Sequence, residues 1–193
     1  MTMRQAANDY IWLLNRGYPS ASSIELVGNK FRLAKRQRVA VARSTCDDLT
    51  LQNRTGRCLS PAAMSDQKLW IDGFNVLVTL EAAMGGGVVL AARDGCYRDM
   101  SGMQGTYRKT DETVLVLTLL GEQLAQLNVQ QCNWLFDRPV SNSGRLVQLV
   151  TAVAARRAWP WIARTVDDPD GTLAAIEDPI ATADSAVLDR GGN

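Results

Sequence analysis

Residues 68–84 read KLWIDGFNVLVTLEAAM, and this stretch decides the fold class. Lys68–Ile71 is a short, largely apolar run, Asp72 closes it, and from Asn75 to Met84 the apolar residues recur at helical spacing. A strand that passes at once into a helix is half of a β-α-β unit. Four more short apolar runs follow, at Val88–Ala92, Cys132–Phe136, Trp161–Val166 and Ile180–Ala183, with helix-length segments at Asp111–Leu127 and Ser143–Ala158. The alternation predicts an α/β domain, a mostly parallel sheet of about five strands with helices on both faces.

Upstream of this domain the period changes. Met3–Asn15 carries Ala7, Ile11 and Leu14 on one face and stops before Gly17, which suits a helix end. A second helix opens in the serine-rich Ser20–Ser23 and is expected to break at Gly28-Asn29. A third runs from about Leu33 to Ser44, with Lys35, Arg36, Arg38 and Arg43 around Leu33, Val39, Ala40 and Val41. Three short helices, the last one basic, fit either a helix-turn-helix-like unit that meets phosphates or a helical cap. The polar stretch from Asp47 to Gln67 reads as a linker. The expected organisation is a basic helical unit over 1–46, a linker over 47–67 and the α/β domain over 68–193.

The composition removes whole classes of chemistry. Of 193 residues none is histidine, which excludes Ser-His-Asp and Cys-His catalysis and histidine-ligated zinc or iron. The four cysteines, Cys46, Cys58, Cys96 and Cys132, form no C-x-x-C pair, so a zinc ribbon, a thioredoxin-type site and a disulfide scaffold are disfavoured. A net charge of +1 hides a division: residues 1–65 hold 10 Lys/Arg against 4 Asp/Glu, and residues 66–193 hold 11 against 16. A basic front for a polyanion joined to a carboxylate-rich unit is one reading, and two solvated faces the other. The apolar runs are too short to cross a membrane, and Met1–Asn8 lacks the apolar core of a secretory signal, so a cytoplasmic protein is expected.

Each predicted strand is followed by an aspartate: Asp72, Asp94, Asp137, Asp167 and Asp184. In a parallel sheet the carboxyl ends of the strands line one edge, where such folds bind ligands. Carboxylates gathered there repel one another unless a cation neutralises them. An all-oxygen set selects Mg²⁺ or Mn²⁺, and a metal so held activates water and shields a phosphoryl group, which points to phosphodiester hydrolysis. Two loops supply further groups. RDGCYRDMSGMQGTY, residues 93–107, offers Arg98, Asp99 and Tyr107; DRPVSNSGR, residues 137–145, offers Arg138, Ser141, Asn142 and Ser143 before a helix N-terminus that favours anions. Ser141–Ser143 equally suits simple helix capping, and Asn75 suits either a cap or a metal-bound water.

The run WIDGFNVLVTLE, Trp70–Glu81, resembles the first strand and turn of PIN-like and NYN nucleases, whose Asp-Gly-x-Asn signature supplies a metal-binding aspartate. The chain is more closely similar to a group of archaeal and bacterial PIN-like proteins with a GYP-containing helical front and IDGFNVL, RDG, FDRPVSNSG and TADS elements in this order. The resemblance spans about Tyr10 to Asp189. It implies a PIN-like domain whose acidic pocket binds Mg²⁺ or Mn²⁺ and cuts RNA. By motif position it assigns Asp72 and Asp184 as catalytic metal ligands, Asp94 and Asp137 as intermediate carboxylates, and Asp189 as a further candidate. No mid-domain helix glutamate matches the usual pattern, and Glu81 or Asp94 would stand in for it.

The expected function is a metal-dependent endoribonuclease in which Asp72, Asp94, Asp137 and Asp184 hold the ion. Asn75, Arg98, Arg138, Ser141, Asn142 and Ser143, with Arg36 and Arg38 of the basic helix, position the RNA. The alternative is a non-catalytic RNA-binding or assembly module with a vestigial pocket. A third reading, a small phosphorylated substrate at the Ser141–Arg145 loop, stays open, although a haloacid-dehalogenase-type phosphatase would need an aspartate where Phe74 stands. Homo-oligomerisation or a partner protein is left open by Trp12, Trp159 and Trp161, which suit an interface as well as a core.

Overall fold

A computed structural model describes residues 2–100 and 112–191, so Tyr107 and the first residue of the predicted helix at Asp111 lie outside the described residues. The chain divides into two compact units, residues 1–56 with 88–100, and residues 57–87 with 101–193.

In the first unit, α1 (Thr2–Leu14), α2 (Ser20–Lys30) and α3 (Lys35–Ser44) enclose a core of Ala6, Tyr10, Leu13, Val27, Leu33 and Val41. The three predicted helices are present, but α2 runs through the expected break at Gly28-Asn29. Gly28 lies beneath the Arg38 guanidinium, which would have to shift to admit a Cβ there. Arg38 donates from Nε to the Leu33 carbonyl (3.1 Å), from Nη1 to the Glu25 carbonyl (3.4 Å) and from Nη2 to Asn29 Oδ1 (2.9 Å). This arginine ties α3 to α2 through three of its five N–H donors, a structural role beside the phosphate binding expected of it.

The linker expectation is also corrected, because residues 48–56 form α4 (Asp48–Gly56) inside the first unit. Asp47 initiates it by accepting hydrogen bonds from the Thr50 N–H (2.8 Å) and Thr50 Oγ1 (2.6 Å), a side-chain cap that satisfies helix-end donors. A short 3₁₀ turn, Pro61–Met64, follows in the second unit.

The predicted strand at Val88–Ala92 does not join the parallel sheet. β2 (Val89–Ala91) pairs antiparallel with β3 (Tyr97–Asp99) as a separate hairpin in the first unit. The Arg93-Asp94-Gly95 turn explains this, with Gly95 at φ 85°, a conformation that glycine adopts without a steric cost. Asp94 is therefore not a strand-end carboxylate of the parallel sheet. Its oxygens accept from Arg54 Nη1 (2.6 Å), Arg98 Nη1 (2.9 Å) and Arg98 Nη2 (2.7 Å), and the side chains of Asp94, Arg54 and Arg98 are 1%, 6% and 5% exposed. Burial alone would raise the Asp94 pKa; the hydrogen bonds from Arg98 and Arg54 reverse this and hold the carboxyl well below its usual range. Asp94 and Arg98 build a structural ion triad, which corrects their assignments to metal and substrate.

In the second unit, β1 (Lys68–Asp72), β4 (Gln131–Asp137), β5 (Trp161–Val166) and β6 (Ile180–Ala181) form a parallel sheet of four strands, not five, in the order β5-β4-β1-β6. On one face α5 (Gly73–Met84), α6 (Glu112–Gln126) and α7 (Ser143–Arg157) pack with Leu77, Leu117 and Val150 against Ile71, Trp134 and Phe136. On the other, α8 (Pro169–Ala174) and α9 (Ser185–Arg190) bring Leu173 and Val187 onto Leu135. The central β4 is thus buried on both faces, which explains its unbroken apolar reading. Trp159 and Trp161 belong to this core, whereas Trp12 is 53% exposed. Gly73 of the DGFN run lets α5 start flush against β4, since a Cβ would strike the Phe136 ring and the Leu135 carbonyl. Among the described residues no helix is long and apolar enough to cross a membrane.

Removing one member of a buried ion set leaves uncompensated charge. Asp94→Ala is expected to lower stability in urea unfolding by about 3–5 kcal/mol; a loss below about 1 kcal/mol would show that Arg54 and Arg98 find other partners.

Candidate functional site

The chain runs outward from β1 to β4 to β5, then returns to lay β6 on the opposite flank of β1. Helical connections diverge there, so the carboxyl ends of β1 and β6 border the crevice in which open α/β sheets bind ligands. Asp72 ends β1, and residues 182–184 follow β6 directly. Two side-chain bonds clamp these segments together. Thr182 Oγ1 donates to Asp72 Oδ2 (2.8 Å), and the Ala183 N–H donates to Asn75 Oδ1 (2.8 Å). Thr182 Oγ1 also accepts from the Asp184 N–H (3.0 Å), and Asp184 Oδ1 accepts from the Ala186 N–H (2.7 Å), capping α9.

Asp72 is 8% exposed. Burial pushes its pKa up to about 6; the Thr182 hydrogen bond opposes the rise, and the charges of Asp184 and Asp170 add to it. Asp170, in α8, is raised by burial and by Asp184, Asp168 and Asp137. The strand ends therefore bring Asp72, Asp137, Asp170 and Asp184 into one electrostatic neighbourhood. Asp170 escaped the sequence reading, which took the first acid after each strand. In the run Asp167-Asp168-Pro169-Asp170, Asp167 pairs with Arg138 (3.2 Å) and Asp168 caps α8 by accepting from the Gly171 N–H (2.9 Å). Asp168 before Pro169 is a helix-start signal that would have placed Asp170 in the first turn.

Arg138 is surface-exposed beside Asp167 and donates to the Thr165 carbonyl (3.5 Å). Ser143 is buried and donates from Oγ to the Arg138 carbonyl (3.2 Å), a structural role, while Ser141 and Asn142 are exposed, with Asn142 at the N-cap position of α7 in a left-handed conformation (φ 68°). Asn75 serves as the clamp described above. Arg36 is exposed on α3 in the first unit. Glu81 accepts from Thr113 Oγ1 on α6, at a point about 13 Å along α5 from Asp72, so it is not at the sheet edge. Asp189 lies on the outside of α9.

Among the described residues no three Asp, Glu or Cys groups converge closely enough to ligate one ion, so the four-aspartate cage is not formed. Magnesium is commonly held by only one or two carboxylates, with water and substrate oxygens completing the shell. Asp72 and Asp184, linked through Thr182, are the pair whose mutual repulsion a cation would relieve.

Residues 61–193 match the family model described as "Domain of unknown function (DUF5616)", and residues 2–57 match "Protein of unknown function (DUF434)". The boundary between the two matches falls close to that between α4 and the sheet-bearing unit. The chain is 30% identical over 150 residues to the "Uncharacterized protein MJ0935" of Methanocaldococcus jannaschii, covering 78% of this chain and 72% of that one. No solved structure matches it.

The raised pKa of Asp72 has a definite sign in stability. The folded state favours its protonated form, so the contribution is fully present below the unfolded value of 3.8 and is lost as pH rises through about 6. Relative to Asp72→Asn, the wild-type protein should lose on the order of 3 kcal/mol between pH 4 and pH 7 in urea unfolding. Parallel pH profiles for the two proteins would refute the assignment.

Proposed function

The chain belongs to the DUF5616 family, and we propose that its sheet-bearing unit is a PIN-like, Mg²⁺- or Mn²⁺-dependent ribonuclease acting at the β1/β6 crevice. The observation that carries this reading is the pair of buried or half-buried carboxylates, Asp72 and Asp184, at the switch point of a parallel sheet. The DGFN and TADS runs that resemble nuclease motifs are the two segments clamped together there.

Asp72 and Asp184 would hold the ion, which when bound supplies charge neutralisation at the phosphodiester and activation of water. The remaining work falls to the chain. Thr182 fixes the Asp72 carboxylate, and Asn75 fixes the backbone that carries Thr182 and Asp184. Asp170, whose carboxyl burial and the neighbouring Asp184, Asp168 and Asp137 push above its ordinary range, would accept a proton in this reading. At the carboxyl end of β4, Ser141 and the exposed Arg138, which also pairs with Asp167, would meet phosphate in this reading. The absence of a three-carboxylate cluster among the described residues favours a second reading, an RNA-binding or assembly module without catalysis.

Incubation of labelled single-stranded and structured RNA with purified protein separates the two. Cleavage should require Mg²⁺ or Mn²⁺, stop with chelator, and fall about 100-fold or more in Asp72→Asn and Asp184→Asn. Cleavage that survives both chelation and Asp72→Asn rejects the metal mechanism, and RNA binding without cleavage selects the second reading.

A further inference from the structure

The cations of the first unit are unequally used. Its residues, 1–56 and 88–100, carry 11 Lys/Arg and 6 Asp/Glu, a net +5. Lys30 pairs with Asp9, Arg43 with Asp99, Arg93 with Asp48, and Arg54 and Arg98 share Asp94. Among the described residues Arg4, Arg16, Arg32, Lys35 and Arg36 are exposed and form no ion pair. Two of these bracket an aromatic side chain. Arg4, Asn8 and Trp12 stand four residues apart on α1, an i, i+4 row along its exposed side, and Arg16 lies one further step along in the turn that ends the helix. Trp12 is 53% exposed, and the Arg16 guanidinium lies 3.6 Å from the centre of its ring. Arg16 Nη1 donates to the Trp12 carbonyl (3.2 Å), which holds the stack in place. Tyr18, two residues on, is 54% exposed.

An exposed tryptophan stacked with arginine in a row of unpaired cations has the chemistry of a base-stacking platform. Aromatic faces bind bases of any sequence, and flanking cations follow the phosphates. We propose that the Arg4–Asn8–Trp12–Arg16 row of α1 binds single-stranded RNA and prefers it over duplex, because only an unpaired base presents a face to Trp12. This rests on the reading of the protein as one that acts on RNA, and names the strand state it selects. The charges argue against a second copy of this chain as the occupant, since Arg4 and Arg16 of two facing rows repel. The row also differs from α3, which carries the exposed cations Lys35 and Arg36 but no aromatic residue.

The test uses the full-length protein in chelator, where cleavage is suppressed, and fluorescence anisotropy of a labelled twelve-nucleotide oligouridylate against a blunt RNA duplex of equal length. The single strand should bind more tightly than the duplex. Trp12→Ala should weaken it about tenfold or more, and Trp12→Phe should restore most of the affinity. Arg16→Ala should reduce the salt dependence of binding. Thermal melts report folding, and Trp12 is exposed enough for the variants to fold. Loss of cleavage in Asp72→Asn with the single-strand preference and its Trp12 dependence retained speaks only to the crevice. Wild-type affinity in Trp12→Ala, preference for duplex, no binding of the single strand, or Trp12-dependent self-association in its place would each overturn the proposal.

Discussion

The hydrogen bond from Thr182 to Asp72 joins positions 110 residues apart in sequence and fixes the one place where the sheet reverses its direction of growth. Without β6 on the far flank of β1 there is no divergence of helices and no crevice at the end of β1. The two paired residues of β6 are a weak hold by themselves. Side-chain bonds from Asp72 and Asn75 supplement that short ladder. The same groups that give the site its chemistry therefore also hold its second wall in register. This dual use also explains why Asp72 is tolerated at 8% exposure: its Oδ2 has a fixed donor, and burying a carboxyl without one is far more costly.

Much of this was legible from the chain. Strands at Lys68, Cys132, Trp161 and Ile180 were visible as apolar runs, and the aspartates that end them follow from the alternation of period. A run buried on both faces, such as CNWLF, carries its signal in every residue. The errors occurred where a local signal had two meanings. Val88–Ala92 is apolar and strand-forming, but strand direction is set by what it pairs with, and the Asp94-Gly95 turn makes its partner the next segment. Gly28 breaks many helices, yet here it lies inside α2 beneath the Arg38 guanidinium, a tertiary arrangement with no local trace. Asp170 stood unread among four residues of which three are acidic, because caps and ligands use the same side chain.

Arginine was the least readable residue type for a related reason. Arg36, Arg38 and Arg43 stand on one basic helix, and their spacing does not reveal which are spent. Arg38 binds two carbonyls and an amide, and Arg43 lies near Asp99, while Arg36 is exposed. Arg98 and Arg54 are almost wholly buried around Asp94, where a guanidinium needs several acceptors to compensate for lost hydration. A basic segment is thus an upper bound on its surface charge, and the bound tightens only when each donor has been followed to its partner.

The division of charge between the two units sets a physical problem that the covalent chain itself answers. The sheet-bearing unit, residues 57–87 and 101–193, holds 10 Lys/Arg against 14 Asp/Glu, with Asp72 and Asp184 at the crevice. A polyanion approaching that crevice is repelled by it at distances within the Debye length, about 8 Å at physiological salt. A cation at Asp72 and Asp184 cancels the repulsion at contact but adds little attraction beyond the screening distance. Capture therefore has to come from elsewhere. In the proposed nuclease a net +5 unit on the same chain would supply it, because a tethered binding surface raises the effective concentration of a bound strand around everything attached to it. Unpaired arginines placed among the strand ends would form ion pairs with Asp72 and Asp184, as Arg54 and Arg98 do with Asp94, and would compete there with any cation.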